Sequence, residues 1–474
     1  MKTKIVATIG PASSSRQTLE QLISAGVDVL RLNFSHGNYS EFERIITDIR
    51  ELNRKMDTHV AILADLQGPK IRIGEIEGGG MIIRKGDQLI LTTNRDHTGK
   101  NQIFINYGDF PKDVKPGEKI LLDDGKFTLQ IVETDGITEV KAEVVIGGKL
   151  MPRKGVNLPD TKISLPSLSE KDKMDIRFIL EHDIEWVGLS FVRSAADIIE
   201  LSSFISQLLP RHKPFIMAKI EKPEAVEAID EILTVADGIM IARGDLGVEV
   251  PLQAVPLIQK QIVKKCMEYG KPVIIATQMM EGMITNSRPT RAEVNDVANS
   301  VMDGADALML SGETSVGTFP VETVETMQKI ISEVEDFEDI YHRQHQPVVD
   351  NNPRFISDSI IYSGVNMAHE AKARAIVSVA SSGYSVIKIS SHRPKADIFA
   401  FAPNDFLLRQ LNLIWGVTPI FFDKILDTDQ TISDMMTELK ERGFAKQNDL
   451  VVHISNMPIN QPGKSNMLKL SYME

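Results

Sequence analysis

Lys219 and Glu221 stand two residues apart in Met217-Ala218-Lys219-Ile220-Glu221, and Asp245 follows in Arg243-Gly244-Asp245. Alternate residues of a strand point to one side, so the ammonium and the first carboxylate share a face. Carboxylate oxygens on neighbouring strands suit Mg²⁺, which takes one or two carboxylates and completes its shell with water and substrate oxygens. Lys219, Arg31 and Arg72 offer the charge that a dianionic phosphoryl group needs, guanidinium as a planar fork and ammonium as a compact point. An isolated acid here would read as half of a barrel salt bridge. Lys219, Glu221 and Asp245 together point to a magnesium-dependent enzyme acting on a small phosphorylated anion. No Gly-x-x-x-x-Gly-Lys-Ser/Thr segment occurs, which excludes a P-loop. Gly244 lies where a strand-to-helix turn can offer N–H groups to a carboxylate or phosphate, although any tight turn also favours glycine. His36 reads as a general base or, more simply, as a group that fixes the Ser35-His36-Gly37 turn. Thr277 and Ser311 read as hydroxyls that orient a carboxylate, relay a proton through water, or only satisfy carbonyls.

These residues need a scaffold that gathers them. Apolar strand-like runs at 4–9, 27–33, 60–65, 186–191, 215–220, 238–242, 272–277 and 307–310 each precede a helical stretch, the pattern of parallel βα units. Eight such units match a closed (β/α)8 TIM barrel better than an open sheet, and the loops after barrel strands build active sites. The second run ends in residues 31–37, the third at Asp65, and the fifth at Lys219-Ile220-Glu221. The sixth leads to Asp245, the seventh to Thr277-Gln278, and the eighth to Ser311-Gly312-Glu313. Residues 69–165 lose the helical period and show β alternation with turns at Gly78-Gly79-Gly80, Asp123-Asp124-Gly125 and Asp135-Gly136, an inserted β-barrel-like domain. Helix resumes after Ser169 as N-cap, with Met174, Phe178 and Ile179 as the expected buried face. The barrel is therefore expected over 1–68 and 166–340. A polar linker at 341–353 then leads to an α/β domain over 354–474, with strands at 375–379 and 398–401.

Composition narrows the remaining classes. A chain of 474 residues suggests about two to four folding units, and 42% hydrophobic with 25% charged residues is globular. No apolar run reaches the ~18 residues of a membrane span, and Met1 to Ala7 lacks the features of a secretory signal. A cytoplasmic protein with no membrane partner is expected. The single cysteine, Cys266, reads as a packing residue. A formal charge of −12 disfavours a general nucleic-acid binder and asks for a local basic cluster at the substrate.

Seven segments together carry a more specific signal. They are Thr3-Lys4-Ile5-Val6-Ala7-Thr8-Ile9-Gly10-Pro11-Ala12-Ser13, residues 31–37, residues 217–221, residues 239–247, Ala276-Thr277-Gln278-Met279, Arg288-Pro289-Thr290-Arg291-Ala292-Glu293 and residues 309–314. In this order the chain closely resembles the pyruvate kinase family, which moves the phosphoryl group of phosphoenolpyruvate to ADP in the final step of glycolysis. The resemblance implies Mg²⁺, with Mn²⁺ as a substitute, on Glu221 and Asp245, and a phosphoryl group neutralised by Lys219 and Arg31. It places Gly244, Asp245 and Thr277 at the substrate, and Arg72, Lys154 and His36 at the nucleotide beneath a lid that excludes water. Ser311 and Glu313 would support protonation of the enolate. It also implies a homotetramer, and a chain ending at Glu474 implies no additional carboxyl-terminal domain. The competing readings are a barrel lyase or aldolase of the phosphoenolpyruvate and pyruvate superfamily, and a catalytically silent ligand-sensing relative. The lid and Arg72 favour the kinase over the first. Intact Lys219, Glu221, Asp245 and Thr277 favour it over the second.

Two departures from the family pattern matter. Many members hold K⁺ on residues matching Asn33, Ser35, Asp65 and the backbone of Leu66, and carry Glu where this chain has Lys70 in Gly68-Pro69-Lys70-Ile71-Arg72. A fixed ammonium there can replace the monovalent charge, so K⁺-independent activity is expected; the simpler alternative is a solvated Lys70. Ser381-Ser382-Gly383-Tyr384-Ser385 resembles the family's effector loop, with Ala380 and Ser381 in place of the Thr and Lys of members that bind fructose 1,6-bisphosphate. Ser381, Ser382, Gly383 and Ser385 are thus expected to hold a sugar monophosphate or AMP, or else only to cap a helix.

Overall fold

Eight short parallel strands bury both faces, as their nearly continuous apolar sequences require. They are Lys4–Thr8, Val29–Asn33, Ala61–Asp65, Trp186–Leu189, Phe215–Ile220, Gly238–Ala242, Val273–Ala276 and Ala307–Leu310, and they follow one another around a closed barrel. The last pairs with the first, Leu310 opposite Ala7. All eight expected strands are present; five stop one or two residues inside the expected bounds, where loop geometry takes over from the ladder. This computed structural model describes residues 1–95, 99, 101–348, 352–424, 427–459 and 463–474.

Period-two alternation sorts the strand residues. Ile5, Leu30, Ile62, Val187, Ala218 and Ile241 pack outward with the surrounding helices, whereas Val6, Leu63, Trp186, Met217, Met240 and Ile274 pack together in the other layer. One step further along the inward rows stand Thr8, Arg31, Asp65 and Lys219. The polar rim therefore caps an apolar interior. The helix Glu170–Glu181 begins with the expected Ser169 cap, which forms a reciprocal pair with Asp172. Its buried face differs from expectation. Met174 is exposed, and Asp172, Asp175, Ile176 and Ile179 turn inward because Asp175 is held by Lys171 and by Tyr39.

Between the third and fourth barrel strands the chain builds a six-stranded mixed sheet with its own apolar core and a two-stranded ribbon beside it. The tight Asp123-Asp124-Gly125 turn takes positive φ at all three residues. The carboxyl-terminal sheet orders Val417–Phe421, Asp397–Ala402, Ala375–Val379, Leu450–Ser455 and Met467–Tyr472, antiparallel only at the last pair. The expected linker has no strand in its described part, and its residues 349–351 lie outside the described residues. This third unit docks at the start of the barrel strands, opposite the rim. Lys4 Nζ donates to the carbonyl of Val417 at 3.0 Å, Trp186 Nε1 donates to that of Gln410 at 3.1 Å, and buried Arg393 meets Asp306 at 2.8 Å. Cys266 is buried as packing requires. Among the described residues, no helix is long and apolar enough to cross a membrane.

Candidate active site

Asp65 is the hub of the rim. Its Oδ2 accepts from Arg31 Nε at 2.8 Å and Nη2 at 2.5 Å, and its Oδ1 lies 3.1 Å from Lys219 Nζ without accepting a hydrogen bond. Lys219 Nζ also donates to Ser190 Oγ at 2.7 Å and pairs with Glu221 Oε1 at 2.9 Å. Ser190 Oγ in turn donates to the Leu66 carbonyl at 2.8 Å. This crowding needs Gly188 on the fourth strand, where a Cβ would sit 3.2 Å from Asp65 Oδ1. Burial alone would push Lys219 down and Asp65 up; the facing charges outweigh it, so Lys219 is raised and Asp65 lowered. Burial raises Glu221, Lys219 opposes the rise, and the negative charge of Asp245 adds to it.

Glu221 and Asp245 follow paired strands, Ile220 opposite Ile241. Glu221 Oε2 accepts from the Phe191 N–H at 2.8 Å, whereas Asp245 accepts no hydrogen bond among the described residues. Two mutually repelling carboxylates, one of them uncommitted, fit a hard divalent cation better than they fit each other. Among the described residues no group of three or more His, Cys, Asp or Glu side chains lies together as a metal cage.

Thr277 occupies a left-handed backbone, φ 68°, with Gln278 at 56°. For a β-branched residue this is a strained conformation, of the kind that persists where surrounding structure over-determines it. Arg243 supplies that constraint. Its Nη2 donates to the Thr277 carbonyl at 2.8 Å, and both terminal nitrogens clasp Asp296 at 2.7 and 2.8 Å. The Gly244 N–H, expected to face substrate, donates to Thr277 Oγ1 at 2.7 Å. At the eighth strand, both Glu313 oxygens accept backbone N–H groups, from Met280 at 3.1 Å and Ser311 at 2.7 Å. Buried Ser311 Oγ has no partner.

The insert overhangs this rim, and Lys70, Asn157, Arg193, Lys222 and Asp245 line the intervening cleft. Asn157 Nδ2 from the insert and Lys222 Nζ from the barrel converge on Glu249 Oε1 at 2.7 and 2.6 Å, a buried bridge between the two units. Arg193 holds the segment that returns to the barrel through the carbonyls of Ile163 and Leu165 at 2.7 and 2.8 Å. Exposed His36 is lowered by partial desolvation, then by Arg72, Lys70 and Arg31, which keeps a neutral imidazole among cations. Lys154 is paired with Asp123 at 2.9 Å inside the insert. Of the expected monovalent-cation residues, Asn33 Oδ1 accepts from the Ser35 N–H at 3.1 Å and the Leu66 carbonyl is occupied by Ser190. Among the described residues no hydrogen bond or ion pair joins Lys70 to Asn33, Ser35, Asp65 or Leu66. Asp296, Ser190, Asn157 and Glu249 were not singled out from the sequence, and Arg243 stood only as part of Arg243-Gly244-Asp245; its place after the sixth strand and that of Glu249 one helical turn beyond Asp245 were the local signals.

Far from the rim, Gly383, φ 82°, caps the helix Tyr384–Ser391. Ser381, Ser382 and Ser385 line a pocket with Arg354 and Lys464, and Ser385 Oγ lies 2.8 Å from Ser465 Oγ.

Comparison with known proteins gives concordant results. A family model described as pyruvate kinase, barrel domain, matches residues 1–324, and one described as pyruvate kinase, alpha/beta domain, matches residues 358–471. Proteins named pyruvate kinase from Staphylococcus haemolyticus (strain JCSC1435) and Staphylococcus aureus (strain MRSA252) are 39% and 38% identical over 474 residues, 99% of this chain and 80% of each relative. A crystal structure of a pyruvate kinase from Cryptosporidium parvum superposes with a TM-score of 0.93 at 33% identity, covering 100% of this chain and 96% of that one.

Proposed function

Since the chain belongs to the pyruvate kinase family, a family of phosphotransferases, we propose that its barrel rim transfers the phosphoryl group of phosphoenolpyruvate to ADP, yielding pyruvate and ATP. The observation that carries this reading is the buried Arg31, Asp65, Lys219 and Glu221 cluster beside uncommitted Asp245, beneath an insert that can exclude water. Transfer of this kind depends on positioning and charge neutralisation more than on covalent chemistry. Lys219 and Arg31 neutralise the group in transit. Glu221 and Asp245 hold Mg²⁺, which when bound supplies Lewis-acid neutralisation of phosphoryl oxygens. Thr277, pinned by Arg243, orients the substrate from the seventh strand, and Arg72, His36 and Lys154 serve the nucleotide side under residues 69–165 as the lid. Ser311, its hydroxyl uncommitted, lies on the route by which a proton reaches the enolate, and Glu313 holds its loop in place. ATP formation from phosphoenolpyruvate and ADP with Mg²⁺, abolished by chelator and restored by Mg²⁺ or Mn²⁺, tests the reading; pyruvate release without ATP would instead indicate a lyase.

Three finer features belong to the same proposal. Lys70 lines the cleft and adds to the positive field at His36, which supports activity without K⁺. Full turnover with tetramethylammonium as the sole monovalent cation is expected, and a strong requirement for K⁺ would overturn it. The serine loop beside Arg354 and Lys464 fits a monophosphate effector. Titration with sugar monophosphates and AMP should shift substrate saturation, and no shift with any of them refutes that role. The enzyme works as a cytoplasmic homotetramer in the final step of glycolysis, and sedimentation velocity tests the assembly.

A further inference from the structure

A cavity of about 640 Å³ opens at the junction of the barrel's last segment with the carboxyl-terminal domain, at the end of the barrel away from the rim. Its volume falls within the range of small-molecule sites, roughly 300–1,000 Å³. Five basic or imidazole side chains border it, His342, His369, Lys372, Arg374 and Lys395, against two acids, Glu338 and Asp449.

Several of these charges are already committed. Lys395 is paired with Glu338, Arg374 with Asp397 at 2.9 Å, and Asp449 Oδ2 accepts the Lys446 N–H at 2.8 Å. Three groups remain. Lys372 has no side-chain partner among the described residues. The buried Nδ1 of His342 has no hydrogen-bond partner, and the His369 ring lies 3.6 Å from that of His342, centroid to centroid. Both His342 and Lys372 hold left-handed backbones, φ 60° and 51°. Lys372 takes this conformation as the residue that ends the helix Phe355–Glu370, its N–H donating to the His369 carbonyl at 3.1 Å. Buried Ala368 and Ala373 supply an apolar wall between the basic groups.

We infer that this groove binds a phosphate monoester, its phosphoryl group held by Lys372, His342 and His369 and its organic part against the alanine wall. A dianion gives the exposed, unpartnered Lys372 ammonium a charge-assisted partner and accepts hydrogen bonds from the edges of the His342 and His369 rings that line the groove. The walls come from both structural units, so a bound ligand stabilises their junction by mass action. The site is separate from the rim and from the serine loop.

The test is calorimetric titration of the full chain with inorganic phosphate and glycerol 3-phosphate. A Lys219→Met, Ser382→Ala background removes phosphoryl contacts at the rim and the serine loop. Saturable binding is expected to persist in that background and to weaken at least tenfold when either Lys372→Asn or His342→Asn is added. Asparagine tolerates the left-handed backbone, and unchanged melting curves without ligand establish that the variants fold. Absence of saturable binding in the background protein, or equal binding with and without both asparagines, overturns the proposal.

Discussion

Replacing Lys219 with methionine keeps the aliphatic stem and removes one charge with three partners: Asp65 at 3.1 Å, Glu221 at 2.9 Å and Ser190 at 2.7 Å. Removing one member of a buried ion pair typically costs about 3–5 kcal/mol in stability. Two features hold the cost near the lower figure, about 3 kcal/mol. Arg31 keeps both of its hydrogen bonds to Asp65 Oδ2, and burial already pushes Glu221 toward its neutral form. The catalytic loss should be larger in relative terms. Removing one preorganised electrostatic contact at a reacting centre costs on the order of 10²–10³ in kcat, and a full positive charge at a transferring phosphoryl group reaches roughly 10³ or more. A variant that melts cooperatively yet turns over at least ~10³-fold more slowly is the expected result. Coupled detection of ATP and pyruvate, beside urea unfolding at the same temperature, separates the two effects. Turnover within about threefold of the parent, less than 1 kcal/mol of barrier, would refute the placement of Lys219 at the phosphoryl group.

Other expectations follow from the same geometry. Lys70→Glu should make activity depend on added K⁺; equal rates in tetramethylammonium and K⁺ would remove Lys70 from the cation argument. Asn157→Ala deletes the 2.7 Å bond from insert to Glu249. A hydrogen bond to a charged group contributes about 1.5–3 kcal/mol. KM for ADP should therefore rise roughly tenfold or more, with faster proteolysis at 159–166 and little change in melting temperature; unchanged KM and proteolysis would show that the bridge does not hold the lid. Buried His392 and His453 are pushed down from 6.5 to about 3 and about 4, first by desolvation and then by neighbouring positive charge. Below pH 6.5 the unfolded chain binds these protons and the folded one does not, so stability falls as pH drops from that point toward the folded values. At pH 5.5 the loss is about 1.4 kcal/mol for each histidine. Urea unfolding at pH 7.5 and 5.5 should show a difference that shrinks in a His392→Gln, His453→Gln variant, and an equal difference in both proteins would refute the assignment.

Much of the candidate site was legible because local pattern decides which way a strand residue faces. Lys219 and Glu221 share a side by spacing alone, and strand ends identify Arg31, Asp65, Asp245, Thr277 and Ser311 as rim residues once the strands are counted. Other assignments were ambiguous for an equally physical reason. Met174 and Asp175 are neighbours on one helix, and only Lys171 and Tyr39 make the charged residue the inward one.

What the sequence by itself determined was the number of strands, the polarity of one rim and the residue types able to manage a phosphoryl group, because these follow from periodicities of two and 3.6. Closure of the barrel and docking of the insert decided the rest. Asp65 became a hub only when Gly188, 123 positions later, left room for its carboxylate; Thr277 acquired its strained backbone from Arg243 and Asp296; and Glu249 came to join lid and barrel through Asn157, 92 residues away. Such contacts cross long stretches of chain, and nothing in the local pattern of one partner specifies the other. Glu313 shows the same point: its place beside Ser311 was plain, but its commitment to two backbone N–H groups depended on where the seventh strand's loop lay.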